Sequence, residues 1–309
     1  QFSYHKDSNK NLIFPKIFIF LFYFFFYICK KNNMKKIILS TKVILSLIIL
    51  FTTISCGNTS SQNNNITTEV VSDTIVKDKP IVNEIGTNVK DRFNTPDGFT
   101  RVKSEGGSWG SYLQNLPLKP YGSQVHHFDG TLKYNTSAYC AVVDLTFKGN
   151  RDYQCADAVM RLRAEYLFSQ KRYSEIEFSY VSGKKANYLS YLGGKTPTNE
   201  NLWSYMCGVF CYANTYSLNK QLTSKSTIDL QIGDVFIIGG FPGHAVIVVD
   251  KCVNEKNEVK FMLAQSYMPA QDIQILVGDD GKSPWYDLNF GEYLYSAEYT
   301  FSKNDLKTF

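Results

Sequence analysis

The chain has 309 residues, of which 44% are hydrophobic, 15% aromatic and 20% charged, with a formal net charge of +5. That positive balance sits at one end, because residues 1–33 carry +4 and residues 34–55 a further +3, which leaves −2 for everything after them. A slightly acidic remainder with no cluster of Lys or Arg excludes nucleic acid and acidic lipid as partners of the main domain, since both demand clustered positive charge.

Residues 1–33 begin without Met and run through an almost unbroken Phe and Tyr stretch, a composition that reads as translation of AT-rich sequence upstream of a start at Met34. The alternative is a membrane segment from Ile17 to Ile28, which falls well short of the ~20 apolar residues a spanning helix needs. From Met34 the order is that of an export signal: basic Lys35 and Lys36, an apolar run from Ile37 to Ile54 broken by Ser40, Thr41, Lys42 and Ser46, then Ser55-Cys56. Thr53-Ile54-Ser55-Cys56 resembles the lipobox of bacterial lipoproteins. Cys56 is therefore expected to be lipidated, tethering the chain to a membrane of the cell envelope; an uncleaved anchor helix is the plainer alternative.

Residues 56–90 contribute the lipid site and a stretch rich in Asn, Ser and Thr without sustained periodicity, which reads as a flexible tether. Residues 91–309 have the length of one domain, with no repeat. Within it, a nearly continuous apolar run predicts a buried strand over Ala138 to Phe147. Asn150 or Asp152 can cap a helix from about Tyr153 to Ser169, with Ala156, Val159, Met160, Leu162, Tyr166 and Leu167 on one broad face. A second helix follows Thr198, carrying Leu202, Met206, Val209, Phe210 and Ala213. The period then changes to strands: Val235 to Ile238, a Gly-rich turn, His244 to Cys252, a polar turn, and Glu258 to Tyr267. Helices followed by an antiparallel meander imply an α+β fold rather than an alternating parallel sheet.

The domain holds Cys140, Cys155, Cys207, Cys211 and Cys252, an odd number that leaves at least one thiol to explain in an oxidising compartment. Cys155 falls in the first turn of the long helix, where the dipole and free N–H groups are expected to lower a thiol pKa. His244 opens a strand straight after a glycine turn in which Gly240 and Gly243 would let a substrate backbone come close. In a hairpin turning near Asn254 to Lys256, the residue opposite His244 falls between Gln265 and Tyr267, so Gln265 or Ser266 can orient the imidazole, whereas Asp250 lies about 20 Å along the strand. Gln154 can donate to an oxyanion. Together these are the parts of a Cys–His hydrolase, in which the imidazole takes the thiol proton and later protonates the leaving group. The plainer reading is a buried Cys and a His hydrogen-bonded in place.

The stretches Arg151 to Tyr166, which contains Gln154-Cys155-Ala156-Asp157, Gly233 to Ile237, Pro242 to Asp250 and Leu263 to Gln271 resemble an uncharacterised bacterial lipoprotein family, domain of unknown function four-eight-four-six. That resemblance covers nearly the whole domain and implies no activity. The Gly233-Asp234 strand leading to Gly243-His244 is similar to papain-like cell-wall peptidases of the NlpC and CHAP groups, from which the chain departs by a long helical insertion between Cys155 and His244. This second resemblance implies a papain-like fold, with the Cys-bearing helix packed on an antiparallel sheet, and amide substrates in peptidoglycan or peptides.

Other features point less far. Gly106-Gly107-Ser108-Trp109-Gly110 fits a serine nucleophile elbow, but the preceding Phe99 to Glu105 is too polar for the buried strand that motif requires, and a turn before a short helix from Ser111 to Leu116 is the alternative. Cys207 and Cys211 share a helix face with no further ligand pair to complete a metal set, and no cofactor motif is present. His126 and His127 point to opposite sides of any strand. Arg161 and Arg163 suit carboxylate recognition, so Arg161 is a candidate substrate-binding residue, with a pair to Asp157 or Glu165 as the plainer reading. The expectation is a membrane-anchored envelope thiol hydrolase; the alternatives are a non-catalytic lipoprotein binding glycan or a protein, and a serine hydrolase at Ser108.

Overall fold

The computed structural model describes residues 79–146 and 152–309; the expected export signal, Cys56, Asn150 and most of the expected tether lie outside the described residues. Among the described residues no helix is long and apolar enough to cross a membrane. The architecture is α+β.

Residues expected to belong to the tether already fold onto the domain. Val82 bridges to Phe93, and Asn88 caps the short helix α1 (Val89–Arg92), whose Val89 is fully buried. Gly86 permits this, since a Cβ there would lie 2.4 Å from the backbone of Asp91 and Arg92, whose guanidinium donates to the Gly86 carbonyl. Isolated Ile81 and Val82 lack the periodicity that would betray such packing in sequence.

Strand β1 (Phe99–Arg101) and helix α2 (Trp109–Gln114) follow, then β2 (Tyr139–Val142), which is shorter than the expected run to Phe147. Helix α3 (Cys155–Ser169) starts at the thiol. Of the expected caps, Asp152 does not serve: Gln154 is the capping residue, and its N–H donates to Asp157 Oδ2 at 2.9 Å. Eleven of the fifteen residues of α3 are buried, so it is the central helix rather than a half-exposed one, which is why its hydrophobic face looked so broad. A small hairpin, β3 (Glu177–Ser179) and β4 (Lys185–Asn187), leads to α4 (Tyr188–Leu192), α5 (Asn199–Tyr212) and α6 (Thr215–Gln221). Thr198 caps α5 as its position before the apolar pattern predicts.

The strands that follow are β5 (Thr223–Ser224), β6 (Val235–Ile238), β7 (His244–Asn254), β8 (Val259–Gln265), β9 (Gln274–Leu276), β10 (Trp285–Asp287), β11 (Tyr293–Tyr295), β12 (Thr300–Ser302) and β13 (Leu306–Thr308). Nine of the strands form one sheet in the order β2-β9-β8-β7-β6-β13-β5, with β1 added to β7 and β10 to β8. The expected meander β6-β7-β8 is therefore its centre. All these pairings are antiparallel.

Alternation along β7 builds two cores. Ala245, Ile247 and Val249 join Met262, Ala264 and Ile275 against α3, α5 and α6, while Val246 and Val248 join Phe236, Phe261, Leu263, Leu294 and Phe301 on the other face. The β11–β12 hairpin covers that second face. Buried Asp250 anchors the sheet to its flank by accepting from Arg101 Nε and Gln114 Nε2, each at 2.7 Å.

Candidate functional site

Two elements meet where the sequence suggests chemistry: the start of α3 and the start of β7. Cys155 is the first residue of α3 and is 8% exposed. It lines a cavity of about 150 Å³ with Gln154, Asp157, Asn214, Thr215, the Gly240 to Gly243 turn and Met268. Gly240 and Gly243 thus line the same cavity as Cys155. Phe241 and Met268, 84% and 64% exposed, form an apolar rim to an otherwise uncharged mouth.

His244 is the first residue of β7 and pairs with Ile238 across the turn. Its Nε2 lies 2.7 Å from Gln265 Oε1. Gln265 in turn donates through Nε2 to Glu298 Oε2 at 2.7 Å, and Lys133 Nζ reaches the same carboxylate oxygen at 2.6 Å. Aromatic rings enclose the imidazole, with Tyr267 at 4.8 Å, Tyr299 at 4.9 Å and Phe301 at 6.0 Å between centroids. Of the two candidates to orient His244, Gln265 is the one beside it; Ser266 donates instead to the Gln271 carbonyl at 2.8 Å.

By alternation His244 shares the side of Val246 and Val248, opposite the face that α3 packs on. The Ala245 amide lies near enough to the sulfur to favour its thiolate, and Tyr267 stands edge-on to the His244 ring. Among the described residues no hydrogen bond joins Cys155 directly to His244.

The resting charge state differs from the expectation of an acidic thiol. Burial, reinforced by neighbouring Asp157, pushes the Cys155 thiol up to about 11, against which the nearby Ala245, Ala156 and Cys155 amides act in the other direction. Burial likewise pushes His244 down to about 4, only partly opposed by Gln265 and Glu298. Asp157 is raised to about 8 by burial, despite the Gln154 N–H that favours its charge. Desolvation wins over the helix dipole because the dipole acts on a group almost cut off from water. Thiol and imidazole are both neutral at pH 7.

The remaining candidates lie elsewhere. Arg161 pairs with Glu165 at 2.7 Å, donates to the Thr146 carbonyl and stacks between Tyr153 and Trp203, lining a different cavity of about 670 Å³ with Phe168, Tyr173 and Met206. Ser108 caps α2 by accepting from the Ser111 N–H, as a turn residue does, and α2 begins at Trp109 rather than Ser111. All five described cysteines are free thiols. His126 contacts the Gln124 carbonyl, and among the described residues no group of His, Cys, Asp and Glu could hold a metal ion. Lys133 and Glu298 escaped sequence reading because only tertiary folding brings positions 165 apart together. Asp157 was legible in principle, as the third residue after a helix cap.

A family model described as Domain of unknown function (4846) matches residues 89–308. No curated protein and no solved structure matches the chain.

Proposed function

The chain belongs to the family described as Domain of unknown function (4846), and from that premise, which brings no activity with it, we propose that it is an envelope lipoprotein whose domain is a papain-like thiol hydrolase of amide bonds. One observation carries the reading: a thiol at a helix start opens into a cavity lined by the Gly240 to Gly243 turn, which leads directly into His244, whose imidazole is held by Gln265.

In this reading the substrate carbonyl enters over the Gly240 to Gly243 turn. Cys155 Sγ forms a bond to the carbonyl carbon as its proton passes to His244. The carbonyl oxygen takes the electron pair and faces the Cys155 N–H, which has no intrahelical acceptor at that position, together with Gln154. Collapse of the adduct breaks the C–N bond, and His244 returns its proton to the leaving amine. Water, deprotonated by His244, then cleaves the thioester and restores the thiol. A neutral resting pair suits this sequence, since charge appears only once substrate has displaced water. Anchoring through Cys56 would place the substrate in the envelope, as peptidoglycan stem peptides or other peptides.

A peptidyl epoxide tests the site without knowledge of the natural substrate. Mass spectrometry should find the adduct on Cys155, and His244→Asn should slow its formation about 100-fold or more. Adducts confined to Cys211, or equal labelling of the His244→Asn chain, would count against catalysis.

One observation favours the non-catalytic reading instead. The cavity beside Arg161 is larger, and Trp203, Phe168 and Tyr173 offer faces on which a sugar ring could stack. Saturable binding of a glycan fragment that Trp203→Ala abolishes, in a chain inert toward amides, would support it.

A further inference from the structure

We propose that Glu298 and Lys133 are positioning residues that fix the tautomer of His244, leaving Nδ1 as the only basic nitrogen of the ring. This inference rests on the hydrolase reading for its functional meaning, but not for its geometry.

A glutamine side chain has nearly the same shape either way round, so its neighbours decide which end faces which partner. Gln265 is buried between two of them: the His244 ring on one side and the Glu298 carboxylate on the other, each at 2.7 Å. A carboxylate can only accept. The Gln265 amide NH2 must therefore face Glu298, because the reverse orientation would set two oxygens 2.7 Å apart. The Gln265 carbonyl is then committed to His244 and can only accept, so Nε2 carries the ring proton. The remaining nitrogen, Nδ1, keeps its lone pair, and among the described residues nothing donates to it.

What holds Glu298 in place is equally specific. Lys133 Nζ lies 2.6 Å from Oε2, the oxygen that Gln265 also uses, while Asn135 Nδ2 donates to Oε1 at 3.2 Å. Lys133 and Glu298 side chains are 5% and 12% exposed, so the pair is shielded and its geometry set by packing. Lys133 also sits 5.2 Å from the centre of the Tyr267 ring that closes over His244. The chain Lys133, Glu298, Gln265, His244 thus transmits one orientation from a distant segment to the ring, and partners arranged in series strengthen one another. No spacing in sequence links 133, 265 and 298.

The tautomer can be read directly, by two-bond proton–nitrogen correlations of the His244 ring in the 15N-labelled full domain. The wild type should show the Nε2–H form. In Glu298→Gln the new amide can donate to the Gln265 carbonyl and let that side chain turn over, so the Nδ1–H form should appear and kcat for amide cleavage should fall about 10- to 100-fold, with KM changed less than about twofold. Lys133→Met should act in the same direction, and Lys133→Arg should retain the wild-type tautomer. An Nδ1–H ring in the wild type, or an unchanged tautomer in both Glu298→Gln and Lys133→Met, would overturn the proposal. Loss of the hydrolase reading looks different, because a Cys155→Ala chain that still cleaves the amide leaves the tautomer result standing by itself.

Discussion

At the scale of single residues, burial decides the chemistry. A thiol at a helix N-terminus is expected to be acidic, yet Cys155 is held near 11 and His244 near 4, because both are desolvated. If the neutral pair is the reactive form, the acid limb of kcat/KM should fall near pH 4 rather than 6.5, and the profile should turn down again near pH 8, where Asp157 ionises beside the thiol. Asp157→Asn keeps an acceptor for the Gln154 N–H and should remove the alkaline limb; a limb that persists would assign it to another group. Alkylation should follow exposure, so iodoacetamide at neutral pH should reach exposed Cys211 before buried Cys155, as peptide mapping would show. The residue types of the site were legible in sequence, since Cys155, His244 and Gln265 stand where their positions on helix and strand suggest. Their charge states were not, because desolvation depends on packing from Thr215, Phe241 and Met268, which no local pattern reports.

At the scale of elements, the turn between β6 and β7 is the critical joint. A Cβ on Gly243 would meet Thr215 Oγ1 at 2.3 Å and the carbonyl oxygens of Ile238 and Gly240 at 2.6 and 2.8 Å, whereas one on Gly240 would come no closer than 3.6 Å to Pro242. Gly243→Ala should therefore cost about 1–3 kcal/mol and displace the His244 ring, while Gly240→Ala should be nearly silent in thermal melts and in epoxide labelling. Equal effects from the two would show that the turn is not so constrained. Helices α3 and α5 and strands β6 to β8 could be read from periodicity because each presents an apolar pattern to one of the two cores. The short strands β1, β13 and β5 could not, being held by pairing to β7, β6 and β13 in turn rather than by any pattern of their own. Glu298 lies just before one such short strand, β12, which explains why the network around it stayed hidden.

At the scale of the whole molecule, the fold stands on two hydrophobic cores with no disulfide among the described residues, so reducing agent should leave the domain's melting temperature unchanged. Its acid sensitivity should carry the mark of His244. That ring is neutral in the fold down to about pH 4, while the unfolded chain takes up the proton near 6.5, so stability should decline as pH falls through that window by on the order of 3 kcal/mol from this group. Replacing His244 by Gln should flatten that part of the curve; an unchanged slope would mean the ring is not buried in solution. Whether the Cys155 thiol performs chemistry decides the function of the domain. The most direct measurement incubates wild-type and Cys155→Ala domains with peptidoglycan stem-peptide fragments and follows amide cleavage by mass spectrometry. The wild type should release new amine and carboxylate ends and Cys155→Ala should be slower by about 1,000-fold or more, whereas equal cleavage by both, or none by the wild type, would contradict it.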